Sequence, residues 1–408
     1  MPKTLKPYLV PRLRIGVVGL GYVGLPLAVS ASKAGHLVLG VDIDHAHVGR
    51  VNSGDSRIQG VATVDLLHAI KHGKFQATTN YDDLRDVDCV LICVPTPLTV
   101  NKKPDLSYVE NAVKNVAKVL KKDTLVILES TVAPGTTRNV VLPILRTESR
   151  LDLSDVEVAY SPERVDPGNR NWNISNTPKI VAGLTPTALA RASKFYSSFI
   201  QNIFECSTVE VAEMAKLLEN TYRFVNISFI NEFAQICEAL GIQVNEVINA
   251  AATKPYGFMQ FTPSLGVGGH CIPVDPIYLA DAALKSKAST KFIDLAIEVN
   301  NAQPSYFAKK AQRILGDLRN KKILLVGVAY KSNVSDVRET PAKALRVLLE
   351  QMGAIVVWHD ELVMKWEGEE SVPMNNSFDL AILVTLHDYM SFTDLGTVPL
   401  LNTQEINQ

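Results

Sequence analysis

Apolar residues along this chain fall into short unbroken runs, separated by stretches in which they recur every three or four positions. Arg14-Ile-Gly-Val-Val-Gly-Leu-Gly21 is a β-rich run ending in glycines, Leu25 to Gly35 reads as a helix, and His36 to Asp44 is a second run dominated by Val and Leu. Asp88 to Pro95, Thr124 to Thr131 and Val156 to Ser161 are further strand candidates, with helical patterns at Tyr108 to Lys121 and Thr136 to Arg146. Runs that are apolar throughout fit strands covered on both faces. Strands alternating with helices predict a parallel sheet with helices on both sides.

The pattern changes after Cys206. No Gly or Pro interrupts Val209 to Leu240, which predicts a helix far longer than the ordinary one and in need of a packing partner along its length. A second helical stretch covers Phe292 to Leu318, with Pro304 as a kink or break. Strand candidates return at Lys321 to Ala329, Ile355 to His359 and Phe378 to Thr385, with a helix at Pro341 to Gly353. The predicted architecture is α/β: two Rossmann-like doubly wound domains joined by a long central helix and a helical connector domain. The expected boundaries are 1–205, 206–305 and 306–408.

Composition narrows the function classes. Hydrophobic residues make up 47% and charged residues 20% of the 408, which excludes a disordered chain. With 41 basic against 42 acidic residues, neither nucleic acid nor an anionic membrane is expected as the main partner. The five cysteines, at 89, 93, 206, 237 and 271, include no C-x-x-C pair and are read as neither a disulfide framework nor metal ligands. Cys89 and Cys93 are expected to be buried on one face of a strand. The first fourteen residues contain no apolar h-region, and no run is long enough to span a bilayer. A cytoplasmic location is expected, with no metal.

Gly19-Leu-Gly21-Tyr-Val-Gly24 is G-x-G-x-x-G between a strand and a helix. The first glycine allows a tight turn, the second lets the backbone approach a pyrophosphate, and the third lets helix and strand pack closely. The helix N-terminus then offers free N–H groups to phosphate. Asp42, at the end of the next strand, is placed to accept from the ribose hydroxyls and would repel a 2′-phosphate, so NAD is expected over NADP. Asp44 competes more weakly for that role. A structural βα turn without ligand is the alternative.

Leu265-Gly-Val-Gly-Gly-His-Cys271-Ile-Pro-Val-Asp275-Pro concentrates glycines before a cysteine. Such a loop can turn backbone N–H groups inward and lower the pKa of the adjoining thiol. A tight loop holding a buried thiol reads equally well. His270 points away from Cys271 in an extended segment, which suits a structural role or a substrate contact better than a base. On the long helix, Lys216, Asn220 and Asn231 share a narrow arc, with Glu213 on the same side. They form either a solvated face or a set of donors aimed into a cleft, where Lys216 would stabilise an oxyanion.

These residues together resemble the nucleotide-sugar 6-dehydrogenases, the family of UDP-glucose, GDP-mannose and UDP-N-acetylhexosamine dehydrogenases. The matching motifs are Gly19-Leu-Gly-Tyr-Val-Gly-Leu-Pro26, Val94-Pro-Thr-Pro97, Glu129-Ser-Thr-Val-Ala-Pro-Gly-Thr136, Ser161-Pro-Glu-Arg-Val-Asp-Pro-Gly168, Lys216-Leu-Leu-Glu-Asn220, Gly268-Gly-His-Cys-Ile-Pro-Val-Asp275, Gly327-Val-Ala-Tyr-Lys331 and Asp336-Val-Arg-Glu-Thr-Pro341. The resemblance implies a four-electron oxidation of C6 of the sugar, with two NAD reduced in succession. It makes Cys271 the nucleophile, Lys216 and Asn220 the cradle of the charged oxygen, and Asp275 and Glu163 the groups that position or deprotonate water. NAD would be held by Gly19, Gly21, Tyr22, Val23, Gly24 and Asp42, with Thr96 and Thr131 near the nicotinamide.

By the same resemblance the UDP-sugar would meet Arg164, Asn231, Lys254, Tyr256, Gly268, His270, Tyr330, Lys331 and Arg338. The Ser161 motif and Ala250-Ala-Ala-Thr-Lys-Pro-Tyr-Gly-Phe258 look most like UDP-N-acetylglucosamine 6-dehydrogenases, which implies a part in surface polysaccharide or glycoconjugate synthesis. A homodimer or higher oligomer through the long helix is expected. Two stretches depart from the family. Thr262-Pro-Ser-Leu265 replaces Pro-Gly-x-Gly, and Asn402-Thr-Gln404 stands where Asp-x-Arg is usual. The alternatives are another UDP-sugar (N-acetylmannosamine, N-acetylgalactosamine or glucose), a catalytically silent NAD-binding scaffold, and a two-electron hydroxyacid dehydrogenase.

Overall fold

The computed structural model describes residues 11–404, apart from 59, 150, 153–154, 167–168 and 170. Pro167 and Gly168, which end the Ser161 motif, therefore lie outside the described residues. The chain divides into two compact units, Met1–Leu218 and Glu219–Gln408.

The first unit begins with β1 (Arg14–Val18), α1 (Gly24–Lys33), β2 (Leu37–Val41), α2 (His45–Asn52), α3 (Thr63–Lys71) and β3 (Phe75–Thr78). It continues with β4 (Cys89–Ile92), α4 (Ser107–Ala117), β5 (Leu125–Leu128), α5 (Leu142–Glu148) and β6 (Glu157–Tyr160). β7 (Lys179–Gly183), α6 (Pro186–Tyr196), β8 (Ile203–Glu205) and the start of α7 (Val209–Ala239) complete it. The sheet order is β3-β2-β1-β4-β5-β6-β7-β8, with both faces covered. Ile15, Val17, Cys89, Leu91 and Cys93 enter one core, while Val18, Val90 and Ile92 enter the other. Alternation along each strand thus puts Cys89 and Cys93 on one face, as expected.

The sheet is not wholly parallel. β7 pairs with β6 antiparallel, and β8 then follows β7 in parallel. The connection from Ser161 to Pro178 holds no helix among its described residues, so nothing supplies the crossover a parallel pair needs. The helix expected from Thr136 opens as a π-turn over Thr137–Val141 before α5. Pro143, in the first turn of α5, lacks the N–H that would continue the regular ladder.

The second unit carries the rest of α7, α8 (Val244–Ala252), α9 (Asp275–Lys285) and α10 (Lys291–Leu315). β9 (Lys322–Val326), α11 (Pro341–Gln351), β10 (Ile355–His359), β11 (Lys365–Trp366), β12 (Glu369–Glu370), β13 (Leu380–Leu383) and β14 (Leu400–Asn402) follow. Its main sheet, β10-β9-β13-β14, is parallel throughout. α10 runs through Pro304 without a break. The proline cannot donate to the carbonyl of Asn300, and the side chain of Asn300 holds a loop described below.

Candidate active site

The nucleotide end of the first unit is built as the glycine pattern predicts. Gly19 has φ +89°, and a Cβ there would lie 2.6 Å from the Cys93 carbonyl oxygen. A Cβ on Gly24 would meet the Gly19 oxygen at 1.8 Å and Val17 Cγ1 at 3.1 Å, so helix and strand pack at a distance only glycine permits. A Cβ on Gly21 would find nothing within 4 Å, which leaves room for a pyrophosphate against its backbone. Tyr22 and Val23 complete the turn into α1. The residues present therefore fit NAD.

Asp42 follows β2 and accepts the Leu20 N–H at 2.9 Å and the Asp44 N–H at 3.0 Å. One lone pair on each oxygen is used, and the half-buried carboxylate keeps acceptor capacity for ribose hydroxyls. Asp44 is the N-cap of α2, accepting from Ala46 and His47. That employment explains why it is the weaker competitor.

Thr96 and Thr131 follow β4 and β5, at the C-terminal edge of the sheet where ligands of such folds bind. Ser130 Oγ ties their segments together through the Val94 carbonyl at 2.6 Å. Glu213 on α7, fully buried, accepts the N–H groups of Gly135 at 2.6 Å and Thr137 at 2.8 Å. Burial pushes its carboxyl up to about 7, against the pull of those donors. Glu163 and Arg164 lie in the β6–β7 connection. Glu163 accepts from the backbone of Arg164 and Val165, and Arg164 donates to the Pro178 carbonyl at 2.6 Å.

In the second unit the cysteine loop is clamped on several sides. Ser264 N–H donates to Asn231 Oδ1 and Val267 N–H to Asn300 Oδ1, each at 2.7 Å. Gly269 N–H reaches the Arg338 carbonyl at 3.2 Å. A Cβ on Gly268 would strike the Glu339 oxygen at 2.8 Å, and one on Gly269 the Tyr330 ring at 2.7 Å. These contacts explain two of the glycines by close approach. Ser264, in the stretch that departs from the family pattern, is thus a working anchor. Asn300 was not legible in the sequence, because nothing local marks an asparagine 33 positions away as the loop's acceptor.

Cys271 is exposed, whereas the other four cysteines are buried. The buried-thiol alternative is therefore wrong for this loop. Its carbonyl accepts the N–H groups of Val274 and Asp275, at 3.2 and 2.9 Å, as the chain turns into α9. Asp275 is buried and accepts from Asn220 Nδ2 at 2.5 Å. His270 is partly buried, and burial, reinforced by Arg338, holds its imidazole below the ordinary range and so neutral at pH 7.

Lys331 and Tyr330 follow β9, and Arg338 makes a bidentate pair with Asp336. Lys254 stands 5.0 Å from the ring of Tyr256, both exposed after α8. An open cleft of about 810 Å³ adjoins the loop, with Val267, Pro273, Asn300 and Glu339 in its lining. At the C-terminus, the Gln404 carbonyl accepts from Asn245 at 3.3 Å.

The solvated-face alternative for α7 is also excluded. Glu213, Lys216, Asn220 and Asn231 are all buried, while Val211, Met214, Leu218, Tyr222, Phe229, Ile236 and Leu240 are exposed. Asn231 Nδ2 is buried without a partner among the described residues. α7 thus hides these polar groups and leaves an apolar stripe exposed.

A glycine-turn βαβ unit with an acidic residue closing its second strand, on a doubly wound sheet, is the architecture of a dinucleotide-binding protein. The comparisons make this narrower. The chain belongs to the UDP-glucose/GDP-mannose dehydrogenase family: its NAD binding domain matches residues 13–200, its central domain 210–302 and its UDP binding domain 324–399. It is an NAD-dependent nucleotide-sugar dehydrogenase. It is 36% identical over 402 residues to an NDP-N-acetyl-D-galactosaminuronic acid dehydrogenase of Ralstonia solanacearum, covering 94% of this chain and 92% of that one. It is 36% identical over 397 residues to a UDP-N-acetyl-D-glucosamine 6-dehydrogenase of Pseudomonas aeruginosa, with 94% and 92% covered. The solved structure of a UDP-D-ManNAc dehydrogenase from Pyrococcus horikoshii matches with a TM-score of 0.90 at 32% identity, covering 97% of this chain and 96% of that one. Among the described residues no helix is long and apolar enough to cross a membrane.

Proposed function

We propose that this enzyme oxidises C6 of a UDP-N-acetylhexosamine from alcohol to carboxylate, with UDP-N-acetylglucosamine as its substrate. The observation that carries the reading is the exposed Cys271 in a glycine loop, beside the buried Asn220–Asp275 pair. A two-electron dehydrogenase has no use for either. NAD, when bound, accepts one hydride at each oxidation.

The residues then divide the work. Lys216 and Asn220 hold the C6 oxygen and stabilise the negative charge it gains as the alcohol loses its proton. Cys271 adds as thiolate to the aldehyde carbon, forming a C–S bond. Loss of the second hydride leaves a thioester. Glu163 takes a proton from water, whose oxygen attacks the thioester carbon; the C–S bond breaks, Cys271 is regenerated as thiolate, and the acid formed releases its remaining proton to solvent as uronate. Asp275 keeps Asn220 oriented through their hydrogen bond. Arg338, Lys331 and Tyr330 serve the nucleotide.

The choice of N-acetylglucosamine rests on the Ser161 and Ala250 motifs, and all three relatives above are named for acetamido sugars. The exposed apolar stripe of α7 supports a homodimer in which that stripe is covered. A panel of UDP-sugars, scored as NADH formed per sugar consumed, tests the function. Two NADH per UDP-N-acetylglucosamine, falling to one or none in Cys271→Ala, is expected. One NADH per sugar in the unaltered enzyme refutes the four-electron reading, and silence across the panel favours the scaffold.

A further inference from the structure

Beside the β6–β7 connection lies a group of buried charges that the roles above leave without a task. Lys179 opens β7 at 5% exposure, and Glu129, next after β5, is at 1%. Lys179 Nζ donates to Glu129 Oε2 at 2.5 Å and to the Pro162 carbonyl at 3.1 Å, and it stands 3.9 Å from Glu163 Oε2. The Tyr196 hydroxyl, from α6, donates to the other oxygen of Glu129. Glu163 Oε1 is folded back onto the N–H groups of Arg164, at 2.7 Å, and Val165, at 2.5 Å. The lysine therefore faces Oε2.

Stability is poor ground for such a set. Desolvating two charges offsets most of their attraction, and well-packed apolar residues of the same volume serve a core as well or better. The ion pair does two things that an apolar pair would not. It fastens the carbonyl just before Glu163, and it sets a fixed positive charge against the one carboxylate of that turn.

We propose that Lys179, held in place by Glu129 and Tyr196, is a positioning residue that fixes the Pro162–Glu163 turn and aims the Glu163 carboxylate for taking a proton from water. The inference rests on the assignment of Glu163 to thioester hydrolysis. The other groups facing this turn are accounted for. Cys93, at the end of β4, is a neutral thiol because burial pushes it up. The Arg164 guanidinium donates to the Pro178 carbonyl. Burial pushes Glu129 up to about 7, with Lys179 opposing. Above that pH the ammonium is shared between two carboxylates.

The fixed charge of Lys179 gives a test that a purely structural role would not pass. Uronate release is measured in single turnover against pH, with NAD and the UDP-sugar selected from the panel, for the unaltered enzyme and for Lys179→Met, Glu129→Gln, Lys179→Arg and Glu163→Gln. Lys179→Met is expected to move the acid limb of the profile up, because the positive charge 3.9 Å from the carboxylate is gone. Glu129→Gln, which replaces a carboxyl already neutral below about 7, leaves the limb in place, and Lys179→Arg restores what Lys179→Met loses. If Lys179→Met does not fold, the double variant Lys179→Met/Glu129→Gln, which leaves no buried charge without its partner, still moves the limb up. An unmoved limb in Lys179→Met, or the same upward move in Glu129→Gln, with Glu163→Gln slow, overturns the role of Lys179 alone. A Glu163→Gln enzyme that releases uronate at the unaltered rate overturns the assignment of Glu163, and the inference with it.

Discussion

Gly21 and Gly24 sit three residues apart in one motif, and the structure assigns them separable effects. A Cβ on Gly24 would lie 1.8 Å from the Gly19 oxygen, backbone against backbone. Gly24→Ala should therefore cost more than the roughly 1–3 kcal/mol of ordinary overpacking. A Cβ on Gly21 would meet nothing within 4 Å, and Gly21 is not among the glycines at positive φ. Gly21→Ala should leave the folded state intact, and reduced freedom of the unfolded chain should stabilise it by about 0.4–1 kcal/mol. The space that methyl fills is the approach of the pyrophosphate. Losing one charge-assisted hydrogen bond there costs about 1.5–3 kcal/mol, which raises Kd for NAD by about 10- to 140-fold. The assay is thermal unfolding of the ligand-free protein beside NAD titration by fluorescence. Gly21→Ala with unchanged Kd would refute the placement of the phosphates, and Gly24→Ala with unchanged Tm would refute the packing argument.

Three further outcomes follow from the same coordinates. Native protein treated with iodoacetamide should be alkylated at Cys271 and spared at Cys89, Cys93, Cys206 and Cys237, which burial keeps as thiols; peptide mapping that finds equal labelling would contradict the burial. Glu213 has its carboxyl raised from 4.5 to about 7 by burial, so the folded state binds the extra proton and the associated stability, on the order of 3 kcal/mol, is present below pH 4.5 and lost as pH rises through about 7. Glu213→Gln should flatten that part of the urea-derived stability profile, and an unchanged slope would show that the group is not protonated in the fold. Phe229, 61% exposed on the apolar stripe of α7, should yield a monomer by sedimentation when changed to Asp; a persisting dimer would place the contact elsewhere.

The parts legible in the sequence were those in which chemistry and local geometry coincide. The three glycines of the nucleotide turn, Asp42 at the end of the next strand and the unbroken run of α7 each declare themselves within a few residues. The long-range parts were not. β7 is not among the strand candidates that the apolar runs give, and its antiparallel direction follows from a connection, 161–178, that holds no helix among its described residues. Lys179 looks like a charged strand end until β5 and α6 bring Glu129 and Tyr196 to it. The polar arc of α7 is visible in the periodicity, but whether it faces water is decided by what packs over it. Asn300 gains its function from a carbonyl acceptor pointed at a loop far along the chain.

The two α/β modules carry one residue in the same place and use it differently. Asp42 ends β2 beside the first glycine turn, and Asp360 ends β10 beside the turn at Gly327. Asp360 is buried, and its carboxylate accepts the N–H groups of Val328, Ala329, Leu362 and Val363. His387 adds a further donor at 3.3 Å. The ring is oriented for it, since Nδ1 accepts the Asn333 N–H at 2.8 Å, which leaves the proton on Nε2. Burial alone would raise the Asp360 carboxyl, but His387 and the backbone donors hold it below its ordinary value. About four lone-pair sites are thus filled by five donors, and none is left for a ribose. Asp42, half-buried with two donors, retains that capacity. The same βαβ geometry therefore reads a dinucleotide in the first module, and in the second the aspartate is committed to shaping the turn that presents Lys331.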